Sequence, residues 1–213
     1  YQDISKARFV LLQCLRQSSD YDLFCVGDDW QSIYRFAGSD TGFILHFDRY
    51  WGAADISRIE TTYRFSQGLI DVSGTFVMQN PAQIKKQLKG REDDLGFPLG
   101  EICGYTDKYA IEFMSKKFGD LPQNSSVFLI GRYSFDANLL NDNELFSYQY
   151  NNVTGLVEVK SKARPDLNIV FLTVHKSKGL QFPVVFLCGL ERQFNEADTR
   201  ATILFHPELG LGP

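Results

Sequence analysis

The chain has 213 residues, 44% hydrophobic and 23% charged, a globular composition that excludes disorder and allows one domain or two. Its 22 Lys and Arg against 26 Asp and Glu leave a net charge of −4, which argues against a protein that coats duplex DNA by charge alone. Single-strand binding by stacking stays open, because 14% of the residues are aromatic, with 18 Phe and 10 Tyr. No run reaches the ~18 apolar residues of a membrane span, and no signal peptide opens the chain, so no membrane partner is expected.

Tyr1-Gln2-Asp3 carries no initiator Met, and the chain reads as a piece of something larger. Ser5 caps a predicted helix whose apolar positions are Ala7, Val10, Leu11, Cys14 and Leu15. Tyr21 to Val26 reads as a short buried strand that ends in the polar turn Gly27-Asp28-Asp29, and Thr41 to Trp51 as helical. Residues 55–60 (DISRIE) read as another strand. A helix follows from Gln67 to Met78, stopped by Asn80-Pro81. Residues 85–100 are charged and Gly-rich, an exposed loop. Tyr109 to Phe118 is a further helix, and Ser126 to Ile130 a continuous apolar strand before Gly131-Arg132. Asn168 to Val174 and Pro183 to Leu187 are both apolar strands, separated by the polar HKSKGLQF.

Apolar strands that alternate with helices predict an α/β fold with a parallel sheet covered on both faces. In such sheets ligands bind beyond the carboxyl ends of the strands. The cysteines (Cys14, Cys25, Cys103, Cys188) and histidines (His46, His175, His206) show no metal-site spacing. The cysteines read as buried thiols of a reducing, cytoplasmic compartment, and no bound metal is expected.

Three segments carry candidate chemistry. In Gly27–Asp40, Gln31 is a planar amide able to bond a phosphate oxygen or an attacking water. Tyr34 and Phe36 flank Arg35 and read either as core or as a platform for stacked bases. Asp28 and Asp29, after an apolar stretch, invite a magnesium-ligand reading. In TTYRFS, residues 61–66, Arg64 suits contact with a γ-phosphate and Tyr63 suits stacking, against a solvated Arg and a capping Ser66. In Thr173–Phe182, Lys176, Lys178 and Gly179 follow a strand, and with Lys160, Lys162 and Arg164 they form either a strand-binding patch or a solvated face.

Together these segments resemble the UvrD/Rep-like superfamily 1 DNA helicases. VGDDWQSIYRFAGSD is similar to motif III, TTYRFS to motif IV, and LTVHKSKGLQFPVVFLCGL to motif V. Tyr1 to Ser5 resembles the residues just after the Walker B acids. Trp30 and the TTYRFS form look most like the helicase IV branch, while ILFHPELGLGP resembles the helicase subunits of AddA/RecB nucleases.

The resemblance implies a RecA-like sheet flanked by helices. Residues 1–62 would be the end of a first RecA-like domain, and 63–213 a second one lacking the large insertion. It implies that Gln31 and Arg64 serve catalysis at the γ-phosphate, and that Tyr63 stacks on the adenine. Gly179 and Gln181 would lie near ribose and phosphates. Tyr34, Phe36, Thr173, His175 and, more weakly, Arg132 would contact single-stranded DNA. Asp28 and Asp29 would then be structural or coupling residues.

The sequence departs from the family in Ala37, where most members have Arg, and in Gln181, where the usual residue is Glu. It holds no GxxxxGK[ST] loop, no Walker B acids and no motif VI Arg. ATP with magnesium would therefore be held mainly by parts of the parent outside this chain, and the chain alone is expected to be inactive. The implied partners are ATP, single-stranded DNA and duplex junctions, with self-association of the chain itself. A helicase–nuclease parent and a non-catalytic nucleic-acid-binding module are the alternatives.

Overall fold

A computed structural model describes residues 1–19, 21–91, 106–140, 143–152, 156–191, 193, 204–206 and 210–212. The chain forms two compact units, Tyr1–Ile102 and Cys103–Pro213.

The first unit begins with α1 (Lys6–Ser18), capped by Ser5, whose hydroxyl accepts from the Arg8 N–H. Its buried residue is Phe9. Phe9 stacks on Phe43 of α2 (Gly42–Leu45), with centroids 4.3 Å apart, and meets Trp51 of α3 (Phe47–Trp51) edge-on. The face predicted to be apolar, with Val10, Leu11 and Leu15, is exposed, and Cys14 is exposed with it. The aromatic cluster contributed by α2 and α3 sits on the opposite side of the helix and decides which face is buried.

Tyr21–Val26 forms no strand. Phe24 is 89% exposed and Val26 is exposed too. A strand needs a neighbour to satisfy its backbone groups, and among the described residues no strand lies alongside this stretch. Residues 55–60 are likewise irregular and exposed. The strand forms one step later, as β1 (Thr61–Ser66), which pairs in parallel with β2 (Lys89–Arg91). Thus part of the predicted 85–100 loop is a strand, and residues 92–100 lie outside the described set, as does Cys103. Between β1 and β2 runs α4 (Gln67–Val77). The Gln67 side chain donates to Leu88 O and accepts from the Gly90 N–H, which ties the helix start to β2.

The second unit is a five-stranded sheet of order β4-β5-β6-β3-β7. The strands β3 (Ser126–Gly131), β6 (Asn168–Thr173) and β7 (Val184–Leu187) are parallel, as expected. An antiparallel hairpin, β4 (Phe146–Asn151) and β5 (Leu156–Ser161), extends one side and makes the sheet mixed. A small antiparallel pair, β8 (Leu204–His206) and β9 (Gly210–Gly212), follows.

Strand alternation sorts the core. Val127, Leu129, Ile169 and Phe171 face α5 (Asp107–Gly119), which contributes Ile111, Met114 and Phe118. Phe128, Val170 and Leu172 point to the other face, where Leu156 and Phe182 pack. Coverage of that second face is partial, because Val185 and Leu187 on the edge strand β7 are exposed.

The turn after α5 is held by one side chain. Arg164 donates to the carbonyls of Phe118, Gly119, Leu121 and Pro122 and forms a two-pronged pair with Asp166, at 2.8 Å for each contact. The last helix carbonyls, which have no partner within α5, are satisfied this way. The mixed sheet with its flanking helices is an α/β, RecA-like arrangement.

Candidate nucleotide and nucleic-acid site

The loop from Gly27 to Asp40 is fastened to the first residues of the chain. The Asp28 N–H donates to the Gln2 side chain, the Ser32 hydroxyl to Gln2 O, and the Asp40 N–H to Ile4 O. Asp28 caps the short 3₁₀ turn Asp29–Gln31 by accepting from the Trp30 N–H.

The carboxylates of Asp28 and Asp29 converge on one cation. Lys86 Nζ is 2.5 Å from Oδ1 of each. Asp29 is fully buried, and its other oxygen accepts from the Ile84 N–H at 2.8 Å. The Trp30 indole N–H donates to Ile84 O at 2.9 Å, and the ring packs toward Gly74 of α4. Burial raises the Asp28 pKa, but the Lys86 ammonium and the Gln31 amide outweigh it, and the carboxyl ends below its ordinary value. A magnesium-ligand reading of this pair is therefore set aside, because one oxygen of each carboxylate is already taken by the same lysine. The sequence pattern did not single out Lys86, which lies 57 and 58 positions from its partners.

Gln31 is exposed, and its Nε2 donates to Oδ2 of Asp28. A carboxylate only accepts, so the amide must turn its N–H end inward and its carbonyl outward. Tyr34 is half-buried at the start of a second 3₁₀ turn, Arg35–Ala37, and Phe36 within that turn is 73% exposed. Their rings lie 6.1 Å apart, tilted by 46°. The structure thus decides against a core position for Phe36.

Tyr63 and Arg64 lie on β1, three or four residues before α4, in the same unit as Gln31. Tyr63 is 82% exposed. The exposed Arg64 guanidinium sits 5.5 Å from the Phe65 ring centroid, and the Arg64 N–H donates to the Thr62 hydroxyl.

The other candidates belong to the second unit. Gly131 at the end of β3 is in register with Thr173 at the end of β6, so Arg132, Thr173 and His175 gather at the carboxyl edge of the parallel strands. The Thr173 hydroxyl caps α6 (Val174–Ser177) by accepting from the Lys176 N–H. Gly179, after α6, takes φ +84°, a left-handed turn that favours glycine. Gln181 is exposed on the way to β7. Beside this edge, Asp136 is buried and accepts from the Tyr133 N–H. Burial first, then the nearby Asp136 and Glu191 charges, push the Cys188 thiol up to about 11.

The basic patch is not one patch. Antiparallel pairing of Val159 with Ile169 puts Lys160, Lys162 and Arg164 beside the start of β6, whereas Lys176 and Lys178 follow its end. Six residues of strand, at ~3.3 Å each, separate the two groups. Arg164 is committed to α5, and Lys162 donates to Asn143 O.

Among the described residues no cluster of His, Cys, Asp and Glu is placed to hold a metal ion. In the same set no helix is long and apolar enough to cross a membrane.

Comparison with known proteins points to one family. Residues 1–51 match the UvrD/REP helicase N-terminal domain. Over 193 residues, 90% of this chain, the sequence is 34% identical to DNA helicase IV of Escherichia coli. Both matches are to UvrD/Rep-like helicases, and the second runs along most of the chain. The chain spans 25% of that relative's length. A second relative, an ATP-dependent helicase/nuclease subunit of Clostridium beijerinckii, is 64% identical over 42 residues, which are 20% of this chain and 3% of that protein. The similarity therefore runs along most of the chain and is strongest in a short stretch.

Proposed function

We propose that the protein to which this chain belongs is an ATP-dependent DNA helicase that couples ATP hydrolysis to movement along single-stranded DNA and to unwinding at duplex junctions. The observation that carries the reading is the Gly27–Asp40 loop. It presents an oriented Gln31 amide and an exposed Phe36 ring from one fastened segment. In this reading the 1–62 and 63–213 stretches belong to successive RecA-like domains.

The residues present suit a nucleoside triphosphate. Arg64 offers a fixed, solvent-facing positive charge for a γ-phosphate, and the exposed Tyr63 ring offers a face for a purine. Gly179 and Gln181 would serve the ribose and phosphates from the motif V loop. Magnesium is a different matter, since Asp28 and Asp29 are committed to Lys86. Its ligands would come from elsewhere in the protein. Tyr34, Phe36, Thr173, His175 and Arg132 would hold the strand by stacking and polar contact.

The test is ATP turnover stimulated by single-stranded DNA in the full-length parent. Arg64→Ala is expected to lower kcat by roughly a thousandfold or more while strand binding persists. Unchanged turnover would overturn the assignment. The isolated 213-residue chain is expected to hydrolyse no ATP. Self-association, through the exposed apolar side of α1, is checked by sedimentation of the same chain. A cytoplasmic site of action accompanies this reading.

A helicase–nuclease parent is a second reading, favoured by the 64% identity of the short stretch. A nuclease domain elsewhere in the parent distinguishes it.

A further inference from the structure

We infer that Lys86 is a positioning residue for Gln31, acting through Asp28 to keep the Gln31 carbonyl turned outward as the acceptor for the hydrolytic water. The inference rests on the proposed reading of Gln31 as the group beside the nucleotide.

The geometry is a short relay within the Tyr1–Ile102 unit. Asp28 Oδ2 receives the Gln31 amide N–H. Its Oδ1 receives both the Trp30 N–H and the Lys86 ammonium. The carboxylate thus has a fixed orientation, and the amide bonded to it has one as well. Lys86 is itself held, because it also pairs with the buried Asp29 and lies 5.1 Å from the Trp30 ring centroid. Ile84, two residues before it, bonds the same loop through both its N–H and its carbonyl. The segment following α4 is therefore clasped onto the Gly27–Asp40 loop at four points, all within hydrogen-bond distance.

The chemical consequence concerns direction. An amide with its N–H end on Asp28 has its oxygen left to accept, and an attacking water needs an acceptor to aim its lone pair at phosphorus. Without Lys86, two adjacent carboxylates would repel each other, and Asp28 would be free to rotate. The amide could then turn its N–H end outward and lose the acceptor role. Loss of that orientation costs the chemical step more than it costs substrate binding.

The experiment is steady-state ATP hydrolysis by the full-length parent with saturating single-stranded DNA. Lys86→Met is expected to lower kcat by about tenfold to a hundredfold, with KM for ATP within about twofold of wild type. Lys86→Arg, which keeps the cation, is expected to recover most of the loss. In a Gln31→Ala background Lys86→Met should add no further loss, because the relay then has nothing to orient. If Lys86→Met yields too little folded protein, the pair Asp29→Asn/Lys86→Met, which removes the buried charge with its cation, carries the same expectation. A full further loss in the Gln31→Ala background, or undiminished kcat for Lys86→Met where Gln31→Ala is impaired, would overturn the positioning role alone. Wild-type kcat for Gln31→Ala would overturn the nucleotide reading of Gln31, and this inference with it.

Discussion

The Lys86 ammonium stands 2.5 Å from a carboxylate oxygen of Asp29, a side chain only 1% exposed, and keeps just 18% of its own surface in water. Removing one member of such a pair leaves a buried charge uncompensated, which costs ~3–5 kcal/mol when both partners are fully buried. Lys86→Met is expected to destabilise the Tyr1–Ile102 unit by about 2–4 kcal/mol, the remaining exposure moderating the loss. The Asp29→Asn/Lys86→Met pair should recover much of it. Urea titration followed through the fluorescence of Trp30, which lies against Lys86, reads both variants.

Phe36 is a surface ring, so its truncation separates binding from folding. Phe36→Ala is expected to weaken single-strand binding in the parent by about 1–3 kcal/mol. The unfolding midpoint should stay where it is, because little of the ring leaves water on folding. Fluorescence anisotropy with a labelled oligonucleotide measures the first effect. A lowered midpoint with unchanged binding would return Phe36 to a structural role.

Arg164 and Asp166 make the second unit acid-sensitive. The Arg164 guanidinium, then the Asn124 N–H, hold the Asp166 carboxyl well below the usual carboxylate range. The folded state thus favours the charged form. That contribution is fully present above the unfolded value of about 4 and is lost as pH falls through the lower, folded value. Amide protection in α5 and at the start of β6, corrected for the intrinsic exchange rate at each pH, should fall as the solution is acidified below about pH 4. Asp166→Asn should flatten that dependence. Arg164→Lys should not substitute, since a lysine cannot reach a carboxylate and four carbonyls with one planar fork.

Gly131 is required by closeness. A Cβ there would come within 2.6 Å of the Phe171 ring and 2.9 Å of Asp136 Cβ, both fully packed. Gly131→Ala is expected to cost about 1–3 kcal/mol by overpacking. It should also disturb the edge that carries Arg132 and Thr173, visible as a lowered thermal midpoint in the parent.

Local patterns were legible wherever one side chain or one periodicity governs the outcome. The Ser5 cap, the helix from Gln67, and the parallel strands at 126–131 and 168–173 all follow from neighbours in sequence. Arg132, Thr173 and His175 meet at one edge because β3 and β6 are neighbouring parallel strands, whose ends fall on the same side of the sheet. The β4–β5 hairpin escaped notice. Phe146 to Asn151 is polar enough to resemble a loop, and it became a strand only because β5 offered it an edge. Tyr21–Val26 failed in the opposite way, with strand composition but no partner strand among the described residues.

By itself the sequence determined the family resemblance and the motif order, since both depend on residue types at short, fixed spacings. It also determined which residue types could meet phosphate, base and water. Only the tertiary structure decided that Lys86 closes on Asp28 and Asp29, that Arg164 belongs to a helix end rather than a basic patch, and that Phe36 faces solvent while Phe9 does not. Those outcomes depend on which distant segments pack together, and packing is a property of the folded whole that no local spacing encodes.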